Sequence, residues 1–519
     1  MAATQEIRSR PLSVAAAALP LITLIACFLV GGIFFDLDAD MLVLALLVAA
    51  SVAGIQAVLR GATWMDIQRS TGEKLAAVLP VILILLTIGM LIGTWVLSGT
   101  IPALISAGIQ ILSPRFFVLS AFLVTAVMSL ATGTSWGSAG TLGVALMGAA
   151  AAVQAPLAAT AGAVISGAYL GDKMSPLSDS TNICAIGAGA DLYAHIRNML
   201  YTAVPSSLVA LLVYSTLGRR SAAGSQVVPE SAQTLLAEMD RVFSLGLWTL
   251  LPLLVVLAGI ALKVSPALAL AASSLVAMIL GGVLQGFGIQ SVLTSAVRGF
   301  DPAMVADLGL DPTSLSESFV QLLDRGGLYS MSSTLVLILA AFLLAAGMDV
   351  SGALDRLLQA LLGTVRSTFG LIAATMSAGT TMISLTSHGG VTALIVGGMF
   401  QKAYRQRGLA AVNLSRSLED SVTIVEPLLP WTVSGIFMST TLGVPTLELL
   451  PWAVFCYGGP IFSLLWAAGF DRTGLGLRRL EEQPTTGLFG PLESSLPGTV
   501  SKVPVVEAPE DQQGTGREG

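Results

Sequence analysis

Ten stretches of about twenty apolar residues recur along the chain, near 12 to 35, 41 to 59, 75 to 97, 156 to 178, 193 to 217, 243 to 262, 265 to 285, 331 to 349, 421 to 441 and 446 to 470. Segments of that length are solvated by lipid, where every backbone amide and carbonyl must be satisfied inside the protein, so each is expected to be a helix. A soluble core is also excluded by composition, since 54% of the 519 residues are hydrophobic and only 11% are charged. The fold class is therefore an all-α polytopic membrane protein. The formal net charge of -6 says little about partners when most of the chain is in lipid, and it supports no nucleic-acid reading. Arg8 and Arg10 precede the first apolar run without a small-residue cleavage site, so that run reads as a retained span.

Enzymatic motifs do not stand out. Cys27, Cys184 and Cys456 are scattered through apolar stretches without metal spacing and read as packing residues. Two histidines without a cysteine cluster argue against a zinc or redox centre. The Gly-rich run SWGSAGTLG lacks the lysine and strand of a phosphate loop. No cofactor and no catalytic activity are expected.

Two Gly/Ser/Thr-rich segments, 116 to 153 and 367 to 400, have apolar arms around polar centres, TGTSWGSAGT and SAGTTMISLTSHGG. They read as re-entrant hairpins, since irregular backbone at membrane depth is tolerated against protein or water; the alternative is a pair of ordinary spans. Segments 99 to 113 and 350 to 366 are short and suit the interface. The chain also repeats itself. Val96-Leu97-Ser98-Gly99 and Met348-Asp349-Val350-Ser351-Gly352 each end an apolar span, and Thr132 follows Gly99 at nearly the interval at which Thr386 follows Gly352. Acids come next in both halves, Asp172 before Pro176-Leu177 and Asp420 before Pro427-Leu428. Paired interrupted helices in corresponding halves point to a transport site at the repeat interface.

The segment from Gly171 to Asn182 carries the chemistry. Phe116 to Gly171 contains no charged residue, and then Asp172, Lys173, Ser175, Pro176, Ser178, Asp179, Ser180, Thr181 and Asn182 arrive together. Ionisable groups at that depth usually line an ion or substrate path, and Pro176 removes a backbone donor, which favours a broken helix with free carbonyls. Acids and hydroxyls at a broken helix make a candidate cation site. Asp172 is the first candidate for its carboxylate and Asp179 the second, with Thr132, Thr134, Ser135, Ser175, Thr181 and Asn182 as oxygen ligands. Lys173 does not face Asp172 on a helix, so it is expected to pair elsewhere or snorkel to an interface.

In the second half Arg416 stands at salt-bridge spacing from Glu419 and Asp420, which makes one of those acids structural. Glu426, embedded in VTIVEPLLPW, is either protonated or facing the site. Asp420, Thr423 and Glu426, with Thr381, Ser387 and His388 of the opposing hairpin, complete the candidate set. His388 is either a titrating sensor or a hairpin cap, and His195 reads as interfacial.

Charge placement suggests sides. Lys402, Arg405, Arg407, Arg472, Arg478 and Arg479 belong in the cytoplasm by the positive-inside rule. Asp36, Asp38 and Asp40, and the acidic loop 286 to 330, then fall outside. Ten spans with both termini cytoplasmic satisfy this, and five spans per half make the halves inverted. The expected organisation is an N-terminus (1-11), a first membrane repeat (12-217), a connecting loop (218-242), a second repeat (243-470) and a disordered tail (471-519).

Four longer motifs agree in order, IGTWVLSGTIPALISAGIQILSP (92 to 114), ATGTSWGSAGTLG (131 to 143), GAYLGDKMSPLSDSTN (167 to 182) and LSRSLEDSVTIVEPLLPW (414 to 431). On them the chain resembles the NhaC-type sodium/proton antiporter family of the ion-transporter superfamily, from roughly Leu75 to Phe470. The resemblance implies a prokaryotic inner-membrane carrier exchanging sodium for protons. It also implies inverted repeats whose hairpin tips meet unwound helices, commonly as homodimers with an elevator-like transport domain. Two departures fall in the site: Glu426 and Thr432 stand where the family pattern has Ser and Asn, and Ser387-His388-Gly389-Gly390 replaces an acidic or amide pair.

Physically, sodium is a hard cation that takes hydroxyl, carbonyl and carboxylate oxygens. A carboxylate that binds either sodium or a proton makes the two cargoes compete when its proton affinity matches the working pH. Asp172 and Asp179 are the candidate sodium ligands. The partners expected are the bilayer, sodium and protons. An alternative is coupled exchange of a small organic acid or amino acid; a passive channel or membrane enzyme is a third class with little support.

Overall fold

The computed structural model describes residues 12–34, 39–112, 114–221, 230–262, 264–362 and 367–480. The N-terminal segment 1-11, Asp36, Asp38 and the tail beyond 480 lie outside them. Among the described residues the chain is helical throughout, with only two isolated bridges, Phe300 to Arg325 and Leu409 to Arg479. Seven helices are long and apolar enough to cross a membrane, or ten when each of three bent pairs counts as one span.

Nine of the ten sequence windows reappear in that set, and one pair changes places. Leu157–Met174, expected as a span, carries Asp172 and Lys173 in its last turn and falls short in apolar character. Thr368–Thr386, expected as a hairpin arm, is apolar enough to be counted. The third window is part of a longer helix, Trp64–Leu97, whose start is closed by a reciprocal cap between Thr63 and Asp66. At 34 residues it is roughly 51 Å long by its rise, well beyond a hydrocarbon core of about 30 Å, and its first turns are polar. The window 243 to 262 begins later than expected, because Ala232–Val242 meets Leu247–Gly259 at 96°.

Helices Ala39–Leu59, Trp64–Leu97, Pro266–Val283 and Ser332–Val350 pack as one group. The acidic loop is seated on it rather than trailing away: Gly327 N–H donates to the Gly89 carbonyl at 2.6 Å. A second group contains the two hairpins, the interrupted helices and the flanking spans Leu192–Ser221 and Val454–Thr473. Short amphipathic helices Thr100–Ile111 and Ala353–Leu362 leave the first group at corresponding elbows. Each elbow has a left-handed glycine, Gly99 at φ +78° and Gly352 at +72°, after a serine whose hydroxyl bonds three residues back.

Two boundaries shift. The connecting loop 218-242 is largely helical where described, through Ser221 and from Glu230 to Val242. The ordered chain continues past 471, since the Arg478 carbonyl accepts from Ala410 N–H at 3.0 Å and the Gly476 carbonyl accepts from Arg416 at 2.6 Å.

Candidate functional site

Both Gly/Ser/Thr-rich segments fold as helical hairpins with the same tip. In the first, Phe117–Thr132 ends at left-handed Gly133, and Thr134 caps the next helix by accepting from Gly137 N–H at 3.1 Å. In the second, Thr368–Thr386 ends at Ser387, also left-handed at φ +53°, and His388 caps Gly389–Gln406 by accepting from Val391 N–H at 3.4 Å. Hydroxyl pairs brace the tips at equal spacing, Thr132 to Ser138 and Thr386 to Thr392. The histidine is therefore a cap, and it occupies the position that threonine holds in the other half.

Each tip abuts the break of an interrupted helix. Leu157–Met174 stops at Ser175, and the chain restarts at Asp179–Ala188 with Ser178 as cap. Ala411–Leu418 runs into a wide π-turn over Glu419–Thr423 and a short turn over Glu426–Leu428, then restarts at Val433–Leu442 with Thr432 as cap. The two parts are bent by 45°. Pro176 and Pro427 lie in the breaks, where their missing N–H groups interrupt no ladder.

Asp172 ends buried between the first tip and the first restart. Its Oδ2 accepts from Ser135 at 3.0 Å and from Ser180 at 3.4 Å, and its carbonyl accepts from Ser175 N–H at 3.1 Å and Thr181 at 3.2 Å. Carboxylate, hydroxyls and carbonyls form the oxygen set that hard cations take. Asn182 donates to the carbonyls of Pro176 and Ser178 and so holds the break open. Thr132 and Thr134 shape the tip. Asp179 is exposed in the first helical turn, where a negative charge suits the helix dipole.

Lys173 is fully buried and pairs with Asp420 of the other break, with Thr202 hydrogen-bonded to both at 3.3 Å. The pairing joins the two interrupted helices and removes the cation from Asp172. Arg416 corrects the expected salt bridge, because its guanidinium turns to the Gly476 carbonyl and the Tyr201 ring. Glu419 instead accepts from Thr423 at 2.8 Å and faces His195, whose Nε2 lies 3.9 Å away. His195 is thus wholly buried rather than interfacial, its Nδ1 2.8 Å from the Ser415 hydroxyl. Glu426 is partly exposed, its carboxylate facing the backbone amides of Gly389 and Ser434.

The remaining candidates sit around the second tip. Ser387 donates weakly to the Trp431 carbonyl at 3.5 Å, Trp431 donates to the Ser384 carbonyl, and Thr381 lies part-buried nearly two turns before the tip. Sequence reasoning missed Ser180, Thr202, Tyr169 and Ser434; the Tyr169 and Ser434 hydroxyls bond directly across the two halves. Ser180 carried a readable signal as a hydroxyl in the acidic segment. The others needed tertiary structure.

The Na+/H+ antiporter family matches residues 7–191 and 167–469. A Haemophilus influenzae protein named as an uncharacterized Na(+)/H(+) antiporter is 42% identical over 89% of this chain and 96% of its own length. The Na(+)/H(+) antiporter NhaC of Alkalihalophilus pseudofirmus is 36% identical over 80% and 86%. The malate-2H(+)/Na(+)-lactate antiporter of Bacillus subtilis is 30% identical over 81% and 87%.

Proposed function

The chain belongs to the Na+/H+ antiporter family, and from that premise we propose that it exchanges sodium for protons at Asp172. One observation carries the assignment: a buried carboxylate facing the hydroxyls of Ser135 and Ser180, whose neighbouring lysine is engaged by Asp420. Sodium or a proton neutralises Asp172, and the neutral site crosses the low-dielectric barrier. The empty, charged site is held back by the cost of burying its charge. Competition for one carboxylate is the coupling.

The matching tips and breaks support two inverted repeats, with alternating access in which the second helical group, hairpins included, moves against the first as an elevator. Residues 12-217 and 243-470 are the two repeats in this reading. Both termini lie in the cytoplasm of a prokaryotic inner membrane by the arginines that flank the first and last spans, and the carrier assembles as a homodimer. The Bacillus subtilis relative named for malate and lactate keeps organic-acid exchange as the second reading.

The test is sodium-driven proton movement in proteoliposomes. D172N abolishes pH-dependent sodium flux while the protein still reconstitutes; undiminished flux in D172N rejects the assignment. Competition by dicarboxylates or amino acids against labelled sodium would favour the organic-solute reading.

A further inference from the structure

The two breaks do not correspond through Asp172 and Asp420, as their shared Pro-Leu pairs suggest. Asp420 is spent on Lys173. The group that faces the second tip as Asp172 faces the first is Glu426. Asp172 lies between the start of the first hairpin's return arm, through Ser135, and the start of Asp179–Ala188, through Ser180. Glu426 lies between the start of Gly389–Gln406 and the start of Val433–Leu442, facing the amides of Gly389 and Ser434. The carboxylate packs directly on that helix start, since a Cβ on residue 389 would stand 2.9 Å from Glu426 Oε2.

Charge balance separates these two acids from the rest. Lys173 and Arg416 are the buried cations of the region, and the buried acids Glu419 and Asp420 match them in number. His388 is used as a cap through Nδ1. No ion pair reaches Asp172 or Glu426 among the described residues. Between them stands Tyr169, three residues before Asp172, with its hydroxyl bonded to Ser434 at the Glu426 side. Two carboxylates without a counter-charge require two positive charges before the region can enter lipid depth neutral.

We propose that the Glu426 carboxylate, held in place by the Gly389 amide end of the second hairpin, forms with the hydroxyls of Ser434 and Tyr169 a second monovalent-cation site, linked to the Asp172 site through the Tyr169–Ser434 bond. The core then loads two positive charges per cycle, shared between sodium and protons. The proposal rests on the antiporter reading and extends it to a site with its own carboxylate.

Equilibrium binding of radioactive sodium to the purified full chain in nanodiscs tests it, alongside flux in proteoliposomes. At alkaline pH the wild type binds cooperatively, and E426Q retains half the capacity with the cooperativity gone. E426S, which removes the carboxylate and places there the residue of the family pattern, behaves as E426Q does and serves if E426Q folds poorly. Y169F keeps full capacity with weakened cooperativity. Full wild-type capacity in both E426Q and E426S overturns the second site. Absence of sodium-coupled proton movement in the wild type would instead overturn the antiporter reading, so the two failures are distinguishable.

Discussion

Replacing Lys173 by methionine strands Asp420 in the protein interior. Both groups are fully buried, and Asp420 would keep only the Thr202 hydroxyl at 3.3 Å, its other oxygen having no partner. Removing one member of a buried ion pair costs about 3–5 kcal/mol, most of it the penalty of the charge left behind. D420N strands the lysine in the same way and is expected to cost a similar amount. The double variant K173M/D420N leaves no charge, so its loss should fall well short of the sum, with a coupling energy toward the upper end of the roughly 0.5–3 kcal/mol seen for residues in contact. Equilibrium unfolding in mixed micelles gives the three values, and thiol labelling of buried Cys184 and Cys456 reports the same opening independently. Additive losses would show that the pair does not hold the two interrupted helices together. Flux adds a second criterion: sodium exchange that survives in the double variant fits Asp172 as the exchanging carboxylate, and its loss with intact stability would move that role to Asp420.

Two further outcomes follow from the hairpins and the loop. H388N keeps a capping acceptor and should match the wild type, whereas H388A loses the cap to Val391 and with it about 1 kcal/mol of local stability, read as faster amide exchange at 391. Gly327 sits at φ +85°, and a Cβ there would fall 2.2 Å from Gly299 N, so G327A should lower the unfolding temperature sharply, while alanine at open Gly398, for which no atom lies within 4 Å, should not.

Much of the framework was legible because lipid solvation leaves a sharp trace, a run of apolar residues of fixed length. The hairpins were legible for the complementary reason that Gly, Ser and Thr concentrate where backbone must turn at depth. Asp172 beside Ser135 followed from both. The partners of the buried charges did not. Lys173 and Asp420 stand 247 residues apart, and nothing local specifies that they meet. Arg416 misled because i+3 and i+4 spacing presumes a regular helix, whereas the chain enters a π-turn at Glu419 and the guanidinium makes no ion pair with either acid among the described residues. His195 misled because one polar residue near a span entrance does not reveal which face of the helix looks inward. Glu426 was visible as an oddity, but its equivalence to Asp172 depended on knowing which helix starts converge on it.

Ser387 makes the two tips unequal. Where the first hairpin turns through glycine, the second forces an L-residue into the left-handed region, a strain of order 1–2 kcal/mol, and the Ser387 hydroxyl makes only a long contact to the Trp431 carbonyl. The second tip is a loaded spring and the first is slack. Any loosening around Trp431 releases that stored energy at Ser387, whereas the glycine tip has none to give back.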